Sequence, residues 1–226
     1  MSIENLKQGI FKEELKNRFL CIVEIEGKDA LCYIPSSCRL SNFVDLVGKS
    51  VMLLPVSSKH SRTKYSVFAA LLGRRFVPLN LSKANEVIGS NINSRRFAFL
   101  GKRKAIKAEH FIGNYKADFY IEDTKTIVEI KSILSFEKET IFPTVYSQRA
   151  IEQLKKIETL MDEGYRACYI FVSMSPSVKQ IAINSGVKEY KRLFLRCVEK
   201  GMIVSGISIR MQEYNLLVHS NVKILV

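Results

Sequence analysis

The chain has 226 residues, enough for one large domain or two small ones. Hydrophobic residues make up 47% and charged residues 25%, the balance of a folded soluble protein, and no apolar run reaches the roughly 18 residues of a membrane span. The net charge of +13 points to a polyanionic partner, and no membrane partner is expected.

Met1 to Arg18 mixes Glu and Lys and lacks the apolar core of an export signal, so a cytoplasmic protein is expected. Phe19–Ile25 and Ala30–Ile34 are rich in apolar and β-branched residues and predict two strands around a turn at Gly27-Lys28-Asp29. Val51–Val56 and Tyr65–Leu72 predict two more, and short strands parted by turn residues suggest a small barrel. The loop between these last two is polar and basic, with Lys59, Arg62 and Lys64 available to phosphates. A helix is predicted from Leu81 to Ile92, then strands over Ala105–Ile112, Tyr115–Ile121 and Thr126–Ile133. Ile151, Leu154, Ile157, Leu160 and Met161 have helical spacing and predict a helix from Gln148 to Glu163, stopped by Gly164. Tyr165–Val172 reads as a buried strand, Val187–Glu199 as a second amphipathic helix, and Ile203–Arg210 and Leu216–Val226 as closing strands. The boundary between the strand-rich part, 1–80, and the mixed part, 81–226, falls near residue 80. A helix-flanked sheet can bury its own core, so the second part is expected to fold alone.

The positive charge is concentrated. Residues 46–108 hold thirteen Lys or Arg and one acid, Glu86, while the rest of the chain is nearly balanced. Arg74, Arg75, Arg95, Arg96, Lys102, Arg103, Lys104 and Lys107 therefore join Lys59, Arg62 and Lys64 as candidate contacts to nucleic acid.

The chemistry is expected between residues 105 and 133. A hairpin centred on Gly113-Asn114 pairs Ile112 with Tyr115 and, counted outwards, sets Glu109 opposite Asp118. A turn centred on Asp123-Thr124 sets Asp118 opposite Glu129. A regular register thus places three acids side by side, with Lys116 and Lys131 on the same face. Opposed like charges destabilise a sheet, so this arrangement calls for a cation or a bound proton. Asp118 followed by Glu129-Ile130-Lys131 has the D…E-x-K spacing of a nuclease superfamily. Asp118, Glu129 and the Ile130 backbone carbonyl are hard oxygen ligands suited to Mg²⁺ or Mn²⁺, and Glu109 is a further candidate ligand. Lys131 is placed to orient water or to stabilise charge on phosphate.

Other chemistries are poorly served. His60, His110 and His219 are scattered, and His110 should face away from Glu109 as a packed histidine. Gly101-Lys102-Arg103-Lys104 lacks the second glycine of a phosphate loop, and no Ser/His/Asp or Cys/His grouping is legible. Cys21, Cys32, Cys38, Cys168 and Cys197 form no C-x-x-C pair and read as reduced, buried thiols. No small-molecule cofactor is indicated, and oligomeric state is not legible.

Lys116-Ala-Asp118-Phe119 followed by Val128-Glu129-Ile130-Lys131-Ser132 resembles the core of the sugar fermentation stimulation protein A family. The similarity extends to Phe142-Pro143, Arg149, Gly164-Tyr165-Arg166-Ala167, Asn80–Asn85 and Lys64-Tyr65. The resemblance implies an α/β protein, α+β overall. Its 1–80 part would be an OB-like barrel that binds nucleic acid, and its 81–226 part a restriction-endonuclease-like mixed sheet flanked by helices. It implies a metal-dependent DNA or RNA nuclease, DNA favoured over RNA, with Glu109, Asp118, Glu129 and Lys131 at the site and Lys116 and Arg149 toward nucleic acid. The rivals are a non-catalytic DNA-binding regulator of sugar metabolism genes that keeps the fold, and a structural RNA-associated protein. This chain departs from the family's pattern at Pro35-Ser36-Ser37-Cys38, at Thr144 and at Gln148, which bears on substrate handling more than on metal binding.

Non-specific binding to duplex DNA is expected to weaken steeply with salt. Each neutralised phosphate contributes a slope of about −0.9 in log K against log salt, so a handful of engaged cations gives a slope of several units. Titration across a salt series checks this, and a flat dependence would remove the polyanion reading.

Overall fold

The computed structural model describes residues 6–35, 39–42, 44–56, 58, 61–213 and 215–226. The N-terminal strands close into a barrel around a shared buried face. β1 (Lys7–Glu14) pairs antiparallel with β2 (Leu20–Ile25), and β2 with β3 (Lys28–Tyr33). β4 (Ser50–Pro55) lies antiparallel to β1 and to β5 (Tyr65–Leu72). A short parallel contact, Cys32 with Tyr65 and Tyr33 with Ser66, joins β3 to β5 and closes the ring β1–β2–β3–β5–β4. Gly9 makes the closure possible: a Cβ there would stand 2.6 Å from Val23 Cγ1 and 2.7 Å from the Glu24 carbonyl oxygen. The β2–β3 turn is Glu26-Gly27, with φ of 53° and 77°, the doubly left-handed geometry of a tight hairpin. It lies one residue earlier than the glycine alone suggests. β6 (Arg75–Pro78) extends β5 as a further hairpin.

Beyond the barrel, α1 (Lys83–Asn91) leads into the hairpins β7 (Ile106–Ile112), β8 (Tyr115–Ile121) and β9 (Thr126–Ile133). Two parallel crossovers follow. β10 (Glu139–Phe142) and α2 (Gln148–Asp162) carry the chain to β11 (Arg166–Ser173), which lies parallel to β9. β12 (Gln180–Ile183) and α3 (Lys188–Glu199) carry it to β13 (Ile203–Gln212), parallel to β11. β14 (Asn215–Asn221) returns antiparallel, and β15 (Lys223–Leu225) joins β10 and β12 in a small parallel sheet. The main sheet runs β7-β8-β9-β11-β13-β14. The Ser147 hydroxyl caps α2 through the Ala150 amide, and Gly164, at φ 91°, ends its exit turn. The whole is an OB-like barrel followed by a mixed sheet with helices, as the resemblance implies.

β11 divides two cores. Cys168, Ile170 and Val172 face one side, and Tyr169 and Phe171 the other, as the two-residue period of a strand requires. On the second side α2 and α3 pack with Leu154, Ile157, Tyr190 and Phe194, and an Arg196–Glu158 ion pair at 2.7 Å ties the helices together. The first side is shared across residue 80: Phe11, Val23, Leu53 and Val67 of the barrel belong to one buried cluster with Ile88, Ile130, Ile170 and Ile207. Cys21, Cys32, Cys168 and Cys197 are buried free thiols, while Cys38 lies outside the described residues. No helix of the described residues is long and apolar enough to cross a membrane.

Residues 81–226 expressed alone are expected to show a folded circular dichroism spectrum, because the second core lies wholly within them. They are also expected to melt below the full chain and to bind a hydrophobic dye, because the first core loses its barrel half. A random-coil spectrum would place the folding boundary elsewhere.

Candidate functional site

The β8–β9 ladder runs in register from Ile121 opposite Thr126 to Phe119 opposite Val128 and then opens. Continued, it would set Ile130 against Ala117. Instead the Ile130 amide donates to Asp118 Oδ2 at 2.7 Å, so a side chain takes the place of a ladder partner. In an extended strand the amide and carbonyl of one residue project to the same edge, so the Ile130 carbonyl faces this gap too. The other oxygen of Asp118 accepts from Asn85 Nδ2 at 2.8 Å, which fastens α1 to the opening.

Glu129 sits beside the gap and is 3% exposed. Its Oε2 accepts from the Tyr115 hydroxyl of β8, and its Oε1 from Lys131 Nζ at 2.6 Å, two residues along the same strand face. Its partner in register on β11 is Tyr169, over whose ring Lys131 Nζ lies at 5.7 Å. Lys131 Nζ also donates to Gln153 Oε1 of α2 at 2.6 Å. Burial, and then the charge of Glu129, raise the Asp118 carboxyl above its ordinary range; the Ile130 amide, Asn85 and Lys131 oppose the shift. Burial, with Glu129 alongside, likewise pushes the Tyr115 hydroxyl up, so it remains a proton donor to that carboxylate.

Asp118, Glu129 and Lys131 therefore meet as the spacing predicts. Glu109 does not close up with them. The flanking pairs Ala108–Phe119 and His110–Ala117 keep it opposite Asp118 in register, as counted, but it adopts φ 50°, and its carboxylate, 72% exposed, bonds Lys116 Nζ at 2.8 Å. A left-handed residue inside β7 turns the side chain to the mouth of the cleft. Among the described residues, no three His, Cys, Asp or Glu side chains gather as a metal-binding group. His110 is half-buried and stacks on Tyr120 with ring centroids 5.2 Å apart.

These groups line a cleft of about 1230 Å³ between the barrel, α1, β8, β9 and α2. Of the basic residues singled out for nucleic acid, Lys116 and Arg149 line it. The basic segment contributes little to it. Arg103 is spent on backbone, donating to the carbonyls of Phe97 and Gly101 at 2.7 Å each. Arg96 bonds Asn221 Oδ1 at 2.9 Å, Lys102 pairs with Asp123 at 3.2 Å, and Lys107 pairs with Glu122. Arg62, Lys64, Arg74, Arg75, Arg95 and Lys104 are exposed away from the cleft lining, and Lys59 lies outside the described residues. Tyr115, Asn85, Gln153, Lys156 and Arg18 line the cleft without having been singled out. The signal for two of them was available: Arg149, Gln153 and Lys156 fall at i, i+4 and i+7, a polar stripe along one edge of the apolar face of α2.

Comparison with known proteins places this geometry. The model of the family described as the sugar fermentation stimulation protein RE domain matches residues 82–215. A sugar fermentation stimulation protein homolog of Desulfitobacterium hafniense is 28% identical over 187 residues, covering 81% of this chain and 80% of the relative. One from Ruminiclostridium cellulolyticum is 23% identical over 228 residues, 99% of each chain. The solved structure of Pyrococcus furiosus SfsA in complex with Ca²⁺ has the same fold, with a TM-score of 0.85 at 19% identity over 100% of this chain and 98% of that one.

Tyr115→Phe leaves the buried Glu129 carboxylate one donor short. Stability is expected to fall by about 1–3 kcal/mol, read as a lower urea midpoint with an unchanged slope. An unchanged midpoint would mean that the hydroxyl is not a partner of Glu129.

Proposed function

Because the chain belongs to the sugar fermentation stimulation protein family, we propose that its cleft hydrolyses phosphodiester bonds of nucleic acid with the help of a divalent cation, Mg²⁺ or Mn²⁺, DNA being favoured over RNA. The observation that carries this reading is the opened ladder, where half-buried Asp118 and buried Glu129 stand side by side against one lysine. Two carboxylates and one ammonium leave an excess negative charge in a poorly solvated place, and such charge calls for neutralisation. The donor set fits a hard cation: two carboxylates and the Ile130 carbonyl directed into the same gap. The Pyrococcus furiosus relative was solved in complex with Ca²⁺, a cation of the same oxygen preference. A divalent cation there would supply charge to polarise the phosphate and to ease deprotonation of water.

The remaining roles belong to the chain. Tyr115 and Lys131 fix the plane of the Glu129 carboxylate, one on each oxygen. Gln153 holds Lys131 from α2, so its ammonium faces the cleft in one orientation and can meet the charge that grows on a phosphate oxygen. Lys116 and Arg149, which line the cleft, would meet the flanking phosphates. Glu109, held by Lys116, stands at the mouth as a support and not as a ligand.

One observation favours a second reading, a non-catalytic DNA-binding regulator. Each oxygen of Asp118 and Glu129 already accepts a hydrogen bond from the protein, as in a purely structural knot.

Two measurements decide between them. Mg²⁺ or Mn²⁺ well above its dissociation constant is expected to raise the melting temperature of the wild type, since a hundredfold excess is worth about 2.7 kcal/mol. Asp118→Asn is expected to abolish the shift. Labelled DNA and RNA are expected to be cut with Mg²⁺ or Mn²⁺ and left intact with EDTA or by Asp118→Ala. Lys131→Ala is expected to keep the melting shift and lose cleavage. Equal shifts in wild type and Asp118→Asn would leave the regulator.

A further inference from the structure

The cleft has a second wall with a different chemistry. Opposite the carboxylates, the barrel presents Arg18, Phe19, Tyr33 and Pro35. Phe19 and Tyr33 are stacked, with ring centroids 6.3 Å apart and planes within 19°. The Arg18 guanidinium lies over the other ring, 4.7 Å from the Phe19 centroid. The surface is rigid, because Leu20 and Tyr33 are register partners and the Ile34 amide donates to the Phe19 carbonyl at 2.8 Å. It is also open, for Tyr33 is 39% exposed. A large aromatic ring turned to solvent at the end of a strand, when its neighbours Cys32 and Ile34 are buried, contributes little to the core. The facing wall carries Lys116, Arg149 and Lys156 alongside its carboxylates.

We infer that Phe19 and Tyr33, with Arg18 over Phe19, form a stacking platform for unpaired bases, and that the ligand of this cleft is single-stranded nucleic acid. The argument is one of complementarity. A ladder of alternating bases and phosphates needs flat apolar faces on one side and cations on the other, and the cleft supplies both. Every base has a π-face to offer, so stacking is tolerant of sequence. In a duplex those faces are covered by neighbouring base pairs, and only the phosphates remain for the cationic wall. Bases held on the barrel wall would draw the backbone between them across the opening at Asp118 and Glu129. The inference rests on the proposed hydrolysis only for what happens at that bond; the platform stands or falls on binding.

The chain contains no tryptophan, so Tyr33→Trp provides a single tryptophan, excited selectively above the tyrosine absorption, at the platform. The probes are oligo(dT), oligo(rU) and a blunt hairpin duplex of matched phosphate number, titrated in EDTA so that no turnover intervenes. Both single strands are expected to quench the emission, and the duplex to leave it nearly unchanged. By anisotropy of labelled probes, Tyr33→Leu is expected to lose about five- to hundredfold in affinity for the single strands and to keep its affinity for the duplex. Tyr33→Phe is expected to retain binding. Arg18→Ala, a change at the exposed rim, gives a second reading if the Tyr33→Leu chain melts early, and is expected to weaken single strands more than duplex. Quenching as strong by the duplex, equal losses on all probes, or competition by poly-glutamate as effective as by oligo(dT) would overturn the platform; the last would make an acidic peptide the ligand. Failure of cleavage with Mg²⁺ or Mn²⁺, with the quenching intact, would remove the hydrolysis and leave the platform.

Discussion

A strand that stops pairing in the interior of a protein leaves backbone groups with nowhere to go, and everything around the cleft answers to that constraint. The Ile130 amide has lost its ladder partner and takes Asp118 instead. A carboxylate brought into that position must itself be satisfied, and Asn85 reaches it from α1. Glu129, next along β9 and almost wholly buried, needs donors on both oxygens and finds them in Tyr115 and Lys131. Lys131 in turn leans on Gln153 of α2. A single interruption of a β-ladder has thus recruited residues from α1, β8, β9 and α2 into one network, whose members are worth more together than in pairs.

The charge balance of that network explains its contrast with the rest of the surface. Exposed pairs such as Lys155–Glu189 at 2.9 Å contribute little, because water screens them. Lys131 and Glu129 are shielded from water, so each depends on the other and on its neutral partners. Glu109 has the same side chain and lies two strands away on β7, yet stands in solvent with its lysine. Burial, not residue type, separates the acids held in the network from the one left in solvent.

Much of this was legible in the sequence, and the reasons for the rest are local. The turns at Gly113 and at Asp123-Thr124 fix two hairpin registers, and those registers bring Asp118, Glu129 and Lys131 to one place. A register count assumes extended residues throughout, so the left-handed Glu109 was invisible to it. Tyr115 reads as one more apolar strand residue; only its position beneath Glu129 makes its hydroxyl matter. β1 was missed because Phe11 alone of its eight residues is buried, and β10 and β12 because four residues carry too little periodicity. Charge counted along residues 46–108 marked a basic segment but could not show that Arg103 is consumed by the carbonyls of its own loop.

The cluster of buried side chains that crosses residue 80 has a mechanical meaning. Phe11, Val23, Leu53 and Val67 are packed in common with Ile130, Ile170 and Ile207, so the barrel cannot swing from the mixed sheet without wetting apolar surface, at about 25 cal/mol for each Å² exposed. The cleft between them is therefore a gauge of set width and not a jaw. Whatever enters such a site must fit it as it stands, because closing around a guest would expose the shared core.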